Sequence, residues 1–127
     1  MATFRPKSNT CELDFDGKYK YYLPLHEDTA DKIDKAFQRL KTLAPKDRQG
    51  IDEAYDATLD IIDDILGGGE AEKVMSIYEH PGTLEVWEVI AYIMREWQEA
   101  YIAALDELKK TMPEPDENRA TRRGRRA

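Results

Sequence analysis

Three consecutive glycines, Gly67–Gly69, limit what this chain can fold into more than any other feature of its sequence. Glycine loses more backbone entropy on folding than any other residue, so three in a row cannot lie inside a stable helix. Glycine is nevertheless the residue that most often follows the last turn of a helix. The sequence therefore predicts that one helix ends at Leu66 or Gly67 and that another begins near Gly69 or Glu70.

Apolar residues recur with helical spacing on both sides of this break, and they predict four helices. Asp28 or Thr29 is suited to cap the first helix, and Pro45 separates it from the second. Thr83 follows a His-Pro-Gly turn and is suited to cap the last helix. The predicted helices span about 28–43, 46–66, 70–78 and 84–111.

The last predicted helix carries both tryptophans, so we expect it to form the centre of the core. Its main apolar face comprises Trp87, Ile90, Ile93, Met94, Trp97, Tyr101, Leu105, Leu108 and Met112. The apolar stripe of the second helix comprises Ile51, Ala54, Tyr55, Thr58, Ile62, Ile65 and Leu66. The first helix has a similar face, with Ile33, Ala36, Phe37, Leu40 and either Leu43 or Ala44.

Two short segments of alternating apolar and polar residues precede the helices. The first runs from Cys11 to Phe15 and the second from Tyr19 to Leu23, with an Asp-Gly pair between them. That pair is typical of a type I′ turn, because both central residues of such a turn need positive φ angles. We therefore expect a β-hairpin over residues 10–23. Since two strands alone are marginal in water, the hairpin should pack on the helices or extend the sheet of a partner.

The predicted fold is mainly α, with an N-terminal β-hairpin, a bundle of about four helices and an arginine-rich C-terminal tail. A chain of 127 residues fits one globular domain, which we place at residues 10–112. The polar composition of residues 1–9 predicts a flexible N-terminus. Residues 113–127 are polar and rich in proline and arginine, which predicts a disordered basic tail.

The formal charge of −7 is unevenly distributed. Residues 1–112 carry a balance of −9, whereas residues 113–127 carry +2. The acidic body repels nucleic acid phosphates, so any nucleic-acid contact should come from the tail. No apolar run approaches the roughly 20 residues of a membrane helix, and the first residues lack the apolar segment of a secretion signal. Together with the single Cys11, these features predict a cytoplasmic protein without membrane contact.

Candidate catalytic or ligand-binding residues are few. A glycine-rich segment before a helix is typical of phosphate loops, but no predicted strand precedes Gly67 and no Lys-Ser/Thr pair follows Gly69. His26 and His80 have no serine or cysteine partner in a pattern typical of nucleophilic catalysis. Carboxylates on one helix cannot surround a metal ion, which applies to Asp56, Asp60, Asp63 and Asp64. We expect no catalytic residue, no metal site and no cofactor.

Three apolar residues of the last helix, Val89, Tyr92 and Ile102, fall outside its main apolar face and near several glutamates. Apolar residues among charges mark candidate contact surfaces, so we take these three as a candidate partner surface. The alternative is that the hairpin or the first helix covers them.

The segment from Leu66 to Met75 reads Leu-Gly-Gly-Gly-Glu-Ala-Glu-Lys-Val-Met. It resembles the Leu-Gly-x-Gly-x-Ala-x-Lys-Ile/Val-Phe segment of the tail assembly chaperones of long-tailed (siphovirus-like) bacteriophages and prophages, in which a turn and a long helix follow. Met75 stands where that family often has phenylalanine, and Gly68 fits the usual spacing only loosely. The matching hinge residues are Leu66, Gly67, Gly69, Ala71, Lys73 and Val74.

The C-terminal end of the chain carries a second resemblance to the same family, whose members commonly end in Asn-Arg-Ala-x-Arg-Arg. The matching tail residues are Asn118, Arg119, Ala120, Arg122 and Arg123. The resemblance extends from about residue 10 to the C-terminus and includes the order of the predicted elements.

The resemblance implies a role in virus assembly and no cofactor. Such chaperones act in the cytoplasm of the infected bacterium, bind the tape measure protein, recruit subunits of the major tail (tube) protein and are absent from the mature virion. Many also exist as a longer form made by ribosomal frameshift, whose extension contacts the tube subunit, and Lys109-Lys110 would be the frameshift position here. The implied partners are the tape measure protein, the tube protein and the frameshifted form, and we also consider self-association.

Two other functions stay open. The first is a small regulatory adaptor whose arginine-rich tail binds nucleic acid or an acidic partner, and deletion of residues 113–127 would separate it from a chaperone. The second is a small phosphate- or nucleotide-handling enzyme with its ligand at Gly67–Gly69, which a calorimetric titration with nucleotides would reveal.

Overall fold

A computed structural model describes residues 3–4, 9–43 and 47–112. Within these ranges the chain forms an antiparallel hairpin followed by four helices, which confirms the predicted mainly α fold. The predicted basic tail, residues 113–127, lies outside the described residues, and so does most of the predicted N-terminal segment. The elements are β1 (Thr10–Phe15), β2 (Tyr19–Pro24), α1 (Glu27–Thr42), α2 (Arg48–Leu66), α3 (Glu70–Met75) and α4 (Thr83–Thr111).

The hairpin closes where the Asp-Gly pair predicts. β1 and β2 pair antiparallel, with Phe15 opposite Tyr19. Asp16 and Gly17 have φ angles of 57° and 69°, both in the left-handed region that this pair favours. The carboxylate of Asp14 accepts a hydrogen bond from the N–H of Gly17 at 2.8 Å and stabilises the turn.

The hairpin packs on α4, which decides between the two environments expected for it. The Tyr92 hydroxyl accepts a hydrogen bond from the N–H of Asp14 at 3.1 Å and donates one to the Asp14 carbonyl oxygen at 3.3 Å. The Tyr92 ring also meets the Phe15 ring edge-on, with centroids 5.3 Å apart. The residues of β1 that face the helices are all buried: Cys11, Leu13 and Phe15.

Two helix starts differ from the prediction. The cap of α1 is His26, whose Nδ1 accepts a hydrogen bond from the N–H of Asp28 at 3.1 Å. Asp28 and Thr29 therefore lie inside the helix, because the chain turns into α1 directly after the second strand. The cap of α4 is Gly82, so Thr83 is the first residue of that helix and not its cap.

The glycine break ends α2 and begins α3 as predicted. The N–H of Gly67 donates to the carbonyl oxygen of Asp63 at 2.8 Å, and Gly67 and Gly69 both have positive φ angles, 126° and 81°. The carboxylate of Asp63 then accepts a hydrogen bond from the N–H of Ala71 at 2.8 Å, inside the first turn of α3. α3 packs back on α2.

α3 is shorter than predicted, since it ends at Met75 and not near Tyr78. The N–H groups of Ile77 and Tyr78 bond to carbonyl oxygens three residues back, at 3.2 and 3.1 Å. This tighter pattern is that of a turn and not of an α-helix. The chain therefore leaves the helix one turn early on its way to α4.

α4 buries only part of its predicted core face. Ile90, Ile93 and Trp97 are buried as predicted, and Val86 and Val89, which lie outside that face, are buried as well. The prediction of a core position is wrong for Trp87, Leu105, Leu108 and Met112, which are 36%, 41%, 54% and 65% exposed. The reason is that α2 and the hairpin pack on the side of Val86, Val89 and Ile93, and that no residue of α4 after Trp97 is buried.

The other two long helices also depart in part from the predicted core. Ile51 of α2 and Phe37 of α1 are 44% and 42% exposed, whereas Ile61, which falls outside the predicted stripe, is 1% exposed. α1, α3 and α4 all pack against α2, so α2 is buried over a wider face than one amphipathic stripe. This arrangement leaves the surface between α1 and α4 open.

Candidate partner-binding surface

An apolar groove runs between α1 and α4. It consists of two adjoining cavities of about 320 and 520 Å³ that share Phe37, Ala91 and Met94 as walls. The first cavity is completed by Leu40, Lys41, Trp87 and Ile90. The second is completed by Ala30, Ile33, Asp34, Arg95, Trp97 and Gln98. We call this surface the α1–α4 groove.

Large apolar side chains border the groove without filling it. Phe37 and Trp87 stand on its two sides and keep more than a third of their surface in contact with solvent. The ammonium nitrogen of Lys41 lies 4.5 Å from the centroid of the Phe37 ring, a cation–π contact that holds the ring on its side of the groove. Adjacent exposed apolar side chains of this size mark an interaction site.

The same face of α4 continues beyond the groove. At 100° per residue, Leu105 projects in nearly the same direction as Trp87 and Met94. Tyr101 lies between Met94 and Leu105 and stacks on Trp97, with ring centroids 5.2 Å apart. We call this face the α4 stripe, and it comprises Trp87, Met94, Tyr101, Leu105 and Leu108. Met112, 65% exposed, follows the helix as its extended C-cap residue.

The predicted partner surface is only partly exposed. Val89 is 2% exposed and belongs to the core cluster that contains Phe15, so its prediction as a contact residue is wrong. Tyr92 is half-buried, and its hydroxyl is bonded to the backbone of β1. The alternative that the hairpin covers this region therefore holds for Val89 and Tyr92. Ile102 is 58% exposed and lies beside the α4 stripe.

The hinge residues that carry the resemblance have structural roles in the turn and in the core. Ala71 and Val74 are 1% and 0% exposed and anchor α3 in the core. Leu66 is the half-buried last residue of α2, and the glycines after it form the turn. Lys73 is exposed, with its ammonium nitrogen 3.4 Å from the carboxylate of Glu70. Three amides of the break, those of Gly67, Glu70 and Ala71, donate within the chain, which favours a turn over a phosphate loop.

Three groups have raised pKa values for structural reasons. Burial, followed by the hydrogen bond that its hydroxyl donates to Glu70 at 3.0 Å, raises the pKa of Tyr21 to about 12. Burial and the neighbouring Glu88 carboxylate raise the pKa of Tyr78. Burial also raises the pKa of the Cys11 thiol, with a further contribution from Glu96. A protonated thiol is a poor nucleophile, so the raised pKa makes the Cys11 thiol less reactive than an exposed one.

The acidic side of α2 is mostly solvated. Asp64 accepts a hydrogen bond from Arg39 of α1 at 3.0 Å, and Asp63 binds the first turn of α3. Asp56 and Asp60 are exposed. Among the residues that the structure describes, no three His, Cys, Asp or Glu side chains are grouped so that they could hold a metal ion. The ring of His26 caps α1, and His80 is exposed on a turn.

The remaining predicted residues lie at the C-terminal end. Lys109 and Lys110, the predicted frameshift position, are exposed in the last turn of α4. The tail motif lies outside the described residues: Asn118, Arg119, Ala120, Arg122 and Arg123. Within the described ranges, no helix combines the length and the apolar composition needed to cross a membrane.

Reasoning from the sequence missed the α1–α4 groove because it assigned Phe37 and Trp87 to the core. One signal in the sequence points to it. Trp87, Met94, Tyr101 and Leu108 recur at intervals of seven residues, whereas Val86, Val89 and Ile93 form an apolar face on another side of the same helix. A helix with two apolar faces has one face left over for a partner.

Comparison of this chain with models of protein families, with curated proteins and with solved structures finds no match.

Proposed function

We propose that this protein is a tail assembly chaperone of a siphovirus-like bacteriophage or prophage, which binds the tape measure protein and recruits tail tube subunits while the tail is built. The observation that carries the proposal is the exposed α1–α4 groove and its continuation along the α4 stripe. The resemblance of the hinge segment from Leu66 to Val74, and of the tail motif, gives further support.

The physics of the surface suits an elongated helical partner such as a tape measure protein. A groove between two helices accepts the apolar face of an amphipathic helix, because apolar side chains three and four positions apart fill it in succession. Covering those side chains removes apolar surface from water and prevents aggregation of the partner. The acidic balance of residues 1–112 keeps the complex charged and in solution. No bond is made or broken in this role.

Co-expression tests the proposal. Expression of the chain together with the tape measure protein encoded beside it should raise the fraction of tape measure protein in the soluble lysate. Good expression of both proteins without any rise in solubility would contradict the proposal. Affinity purification through a tag on the tape measure protein should retain the chain in the same fractions.

A pair of matched variants tests whether the groove is the binding surface. Phe37 and Ile51 are exposed to nearly the same extent, 42% and 44%, but only Phe37 lines the groove. Phe37→Lys should abolish the gain in soluble tape measure protein, and Ile51→Lys should keep it. Equal behaviour of the two variants would place the binding surface elsewhere.

The proposal also sets where the protein acts. It acts in the cytoplasm of the infected bacterium and is absent from the mature virion, and a longer form made by frameshift at Lys109-Lys110 carries the extension that contacts the tube protein. Mass spectrometry of infected-cell lysates should find the chain together with peptides from the alternative frame after Lys110. Purified virions should contain neither, and stoichiometric amounts in virions would contradict the assembly role.

A further inference from the structure

The α4 stripe has the spacing of a coiled-coil seam. Successive seam positions alternate in steps of four and three residues from Trp87 to Leu108, which is the heptad pattern of two packed helices. One seam position of the heptad, a, is occupied by Ala91, Gln98 and Leu105. The other, d, is occupied by Trp87, Met94, Tyr101 and Leu108. None of these seven residues is fully buried in the monomer.

This seam is distinct from the face with which α4 packs into its own core. The buried residues of α4 up to Trp97 lie at other heptad positions, where α2 and the hairpin pack. The seam within α4, from Trp87 to Leu108, spans about three heptads, a length at which this spacing indicates a coiled coil. Met94 and Tyr101 are half-buried, and the other seam residues are exposed. We infer that the partner of the seam is α4 of a second copy of this chain, packed antiparallel in a two-fold symmetric dimer.

The polar residue in the seam favours the antiparallel direction. When Ala91 is set opposite Leu108 of the second copy, Met94 meets Leu105 and Gln98 meets Tyr101. The Gln98 amide and the Tyr101 hydroxyl are then able to form a hydrogen bond, and this pair occurs twice, close to the two-fold axis. In a parallel pair, each seam residue would face the same residue of the second copy. Gln98 would then face Gln98, and the two large Trp87 side chains would collide.

The charges beside the seam favour the same register. Glu88, Arg95, Ile102 and Lys109 occupy the flanking e position of successive heptads. In an antiparallel pair the e positions of the two helices face each other, so Glu88 approaches Lys109 of the second copy. Arg95 then lies over the exposed Ile102 of the second copy and covers it with its methylene groups. In a parallel pair, the e positions of one copy would instead lie next to the flanking g positions of the other, which are Ile90, Trp97 and Ala104. These g residues are uncharged, so no ion pair would form.

The fold leaves room for this packing. The stripe from Trp87 to Met94 forms one wall of the α1–α4 groove, whereas the second half of α4, after Trp97, has no buried residue. In the dimer, the second half of each α4 lies against the groove of the other copy, beside Phe37. Each copy therefore supplies both a groove and the helix that occupies it, as a two-fold interface requires. The proposed tape measure helix uses the same groove, so the dimer and the complex with the tape measure protein exclude each other, and the dimer must dissociate before that helix binds.

Light scattering coupled to gel filtration tests the dimer with the full chain. The wild type should have twice the monomer mass at micromolar concentrations and above, and Leu105→Lys should have the monomer mass. Ala103→Lys is the matched control, because Ala103 is exposed on the same helix but lies outside the seam. Circular dichroism should confirm equal helix content in all three. A wild-type monomer throughout, or a dimer that survives Leu105→Lys, would overturn the inference.

Disulfide cross-linking tests the direction. The double variant Met94→Cys, Leu105→Cys should form covalent dimers under mild oxidation, because these positions face each other across the seam. Leu105→Cys alone should remain uncross-linked, since the two copies of residue 105 are then about 16 Å apart along the axis. Cross-linking of the single variant as fast as the double variant would overturn the antiparallel register. The tape measure protein takes no part in these measurements, so their outcome is independent of the co-expression result.

Discussion

The indole N–H of Trp97 donates a hydrogen bond to the carbonyl oxygen of Pro24 at 3.0 Å, across 73 positions of the sequence. Pro24 is the last residue of β2, and no residue of α4 beyond Trp97 is buried. The bond therefore joins the end of the hairpin to the point at which α4 leaves the core. Together with the contacts of Tyr92 to Asp14 and Phe15, it holds the hairpin against α4.

Replacement of Trp97 by phenylalanine should destabilise the protein by about 1–3 kcal/mol, because phenylalanine cannot donate to the Pro24 carbonyl and leaves part of the site unfilled. Urea unfolding followed by circular dichroism measures the change. Leu84→Ala is the control, since Leu84 is 81% exposed at the start of the same helix, and it should change the free energy of unfolding by no more than about 0.5 kcal/mol. Equal losses in the two variants would show that the Trp97 contact does not stabilise the hairpin.

Asp63→Ala should weaken the junction between α2 and α3. The Asp63 carboxylate accepts the N–H of Ala71 at 2.8 Å, a bond equivalent to that of a helix cap, and its loss should cost about 1 kcal/mol. Asp56→Ala removes an exposed carboxylate from the same helix and should be nearly neutral. Hydrogen exchange of the α3 amides provides the local measurement. Protection that stays unchanged in Asp63→Ala would argue against the capping role.

Alanine substitutions in the glycine break should distinguish destabilisation by backbone strain from destabilisation by steric overlap of the added Cβ. Neither Gly68 nor Gly69 has an atom within 4 Å of an added Cβ, but only Gly69 has a positive φ angle, 81°. Gly69→Ala should therefore destabilise the protein by about 1 kcal/mol through strain alone. Gly68→Ala should be neutral or slightly stabilising, because it reduces the entropy of the unfolded chain. Thermal unfolding of the two variants gives the comparison, and the reverse order would contradict it.

Stability should fall at alkaline pH in part through Tyr21. The pKa of Tyr21 is raised from 10.0 to about 12 in the folded state by burial and by its bond to Glu70. Above pH 10 the unfolded chain loses the phenolic proton before the folded chain does. The contribution of Tyr21 is therefore fully present below pH 10 and is lost as the pH rises towards 12.

Tyr21→Phe lacks this contribution, so its free energy of unfolding should decline less steeply than that of the wild type between pH 10 and pH 12. Denaturant midpoints measured at several pH values in this window supply the slopes. Tyr22→Phe is the control, because Tyr22 lies on the same strand and is 61% exposed. The prediction would be contradicted if the free energy of unfolding declined with pH at the wild-type slope in both Tyr21→Phe and Tyr22→Phe.

Local signals predicted the elements of this fold well. The Asp-Gly pair marks the hairpin turn, and the glycine triplet marks the end of α2, because both depend on backbone preferences of the residues themselves. The cap of α1 was predicted wrongly, since histidine is rare at that position and His26 acts through its ring nitrogen. The end of α3 was placed too late because its apolar spacing continues to Tyr78 while its backbone does not.

The candidate site was predicted less well, and the residues show why. Val89 and Trp87 are both large and apolar, and spacing along α4 assigned Trp87 to the core and Val89 to the surface. The structure reverses both assignments. Only Ile102 of the predicted surface stays exposed next to the α4 stripe. Periodicity identifies an apolar face, but it does not tell which of two faces the rest of the chain will cover.

The sequence by itself determined the type and order of the elements, the positions of the hairpin turn and of the glycine break, how charge is divided between body and tail, and that the last helix carries more apolar surface than one core face requires. Those properties follow from residues within a few positions of each other. Only the tertiary structure decided that the hairpin and α2 cover one side of α4 and leave Trp87 and Phe37 facing an open groove. That choice rests on contacts such as Trp97 with Pro24, which join segments far apart in the chain, and no local pattern encodes them.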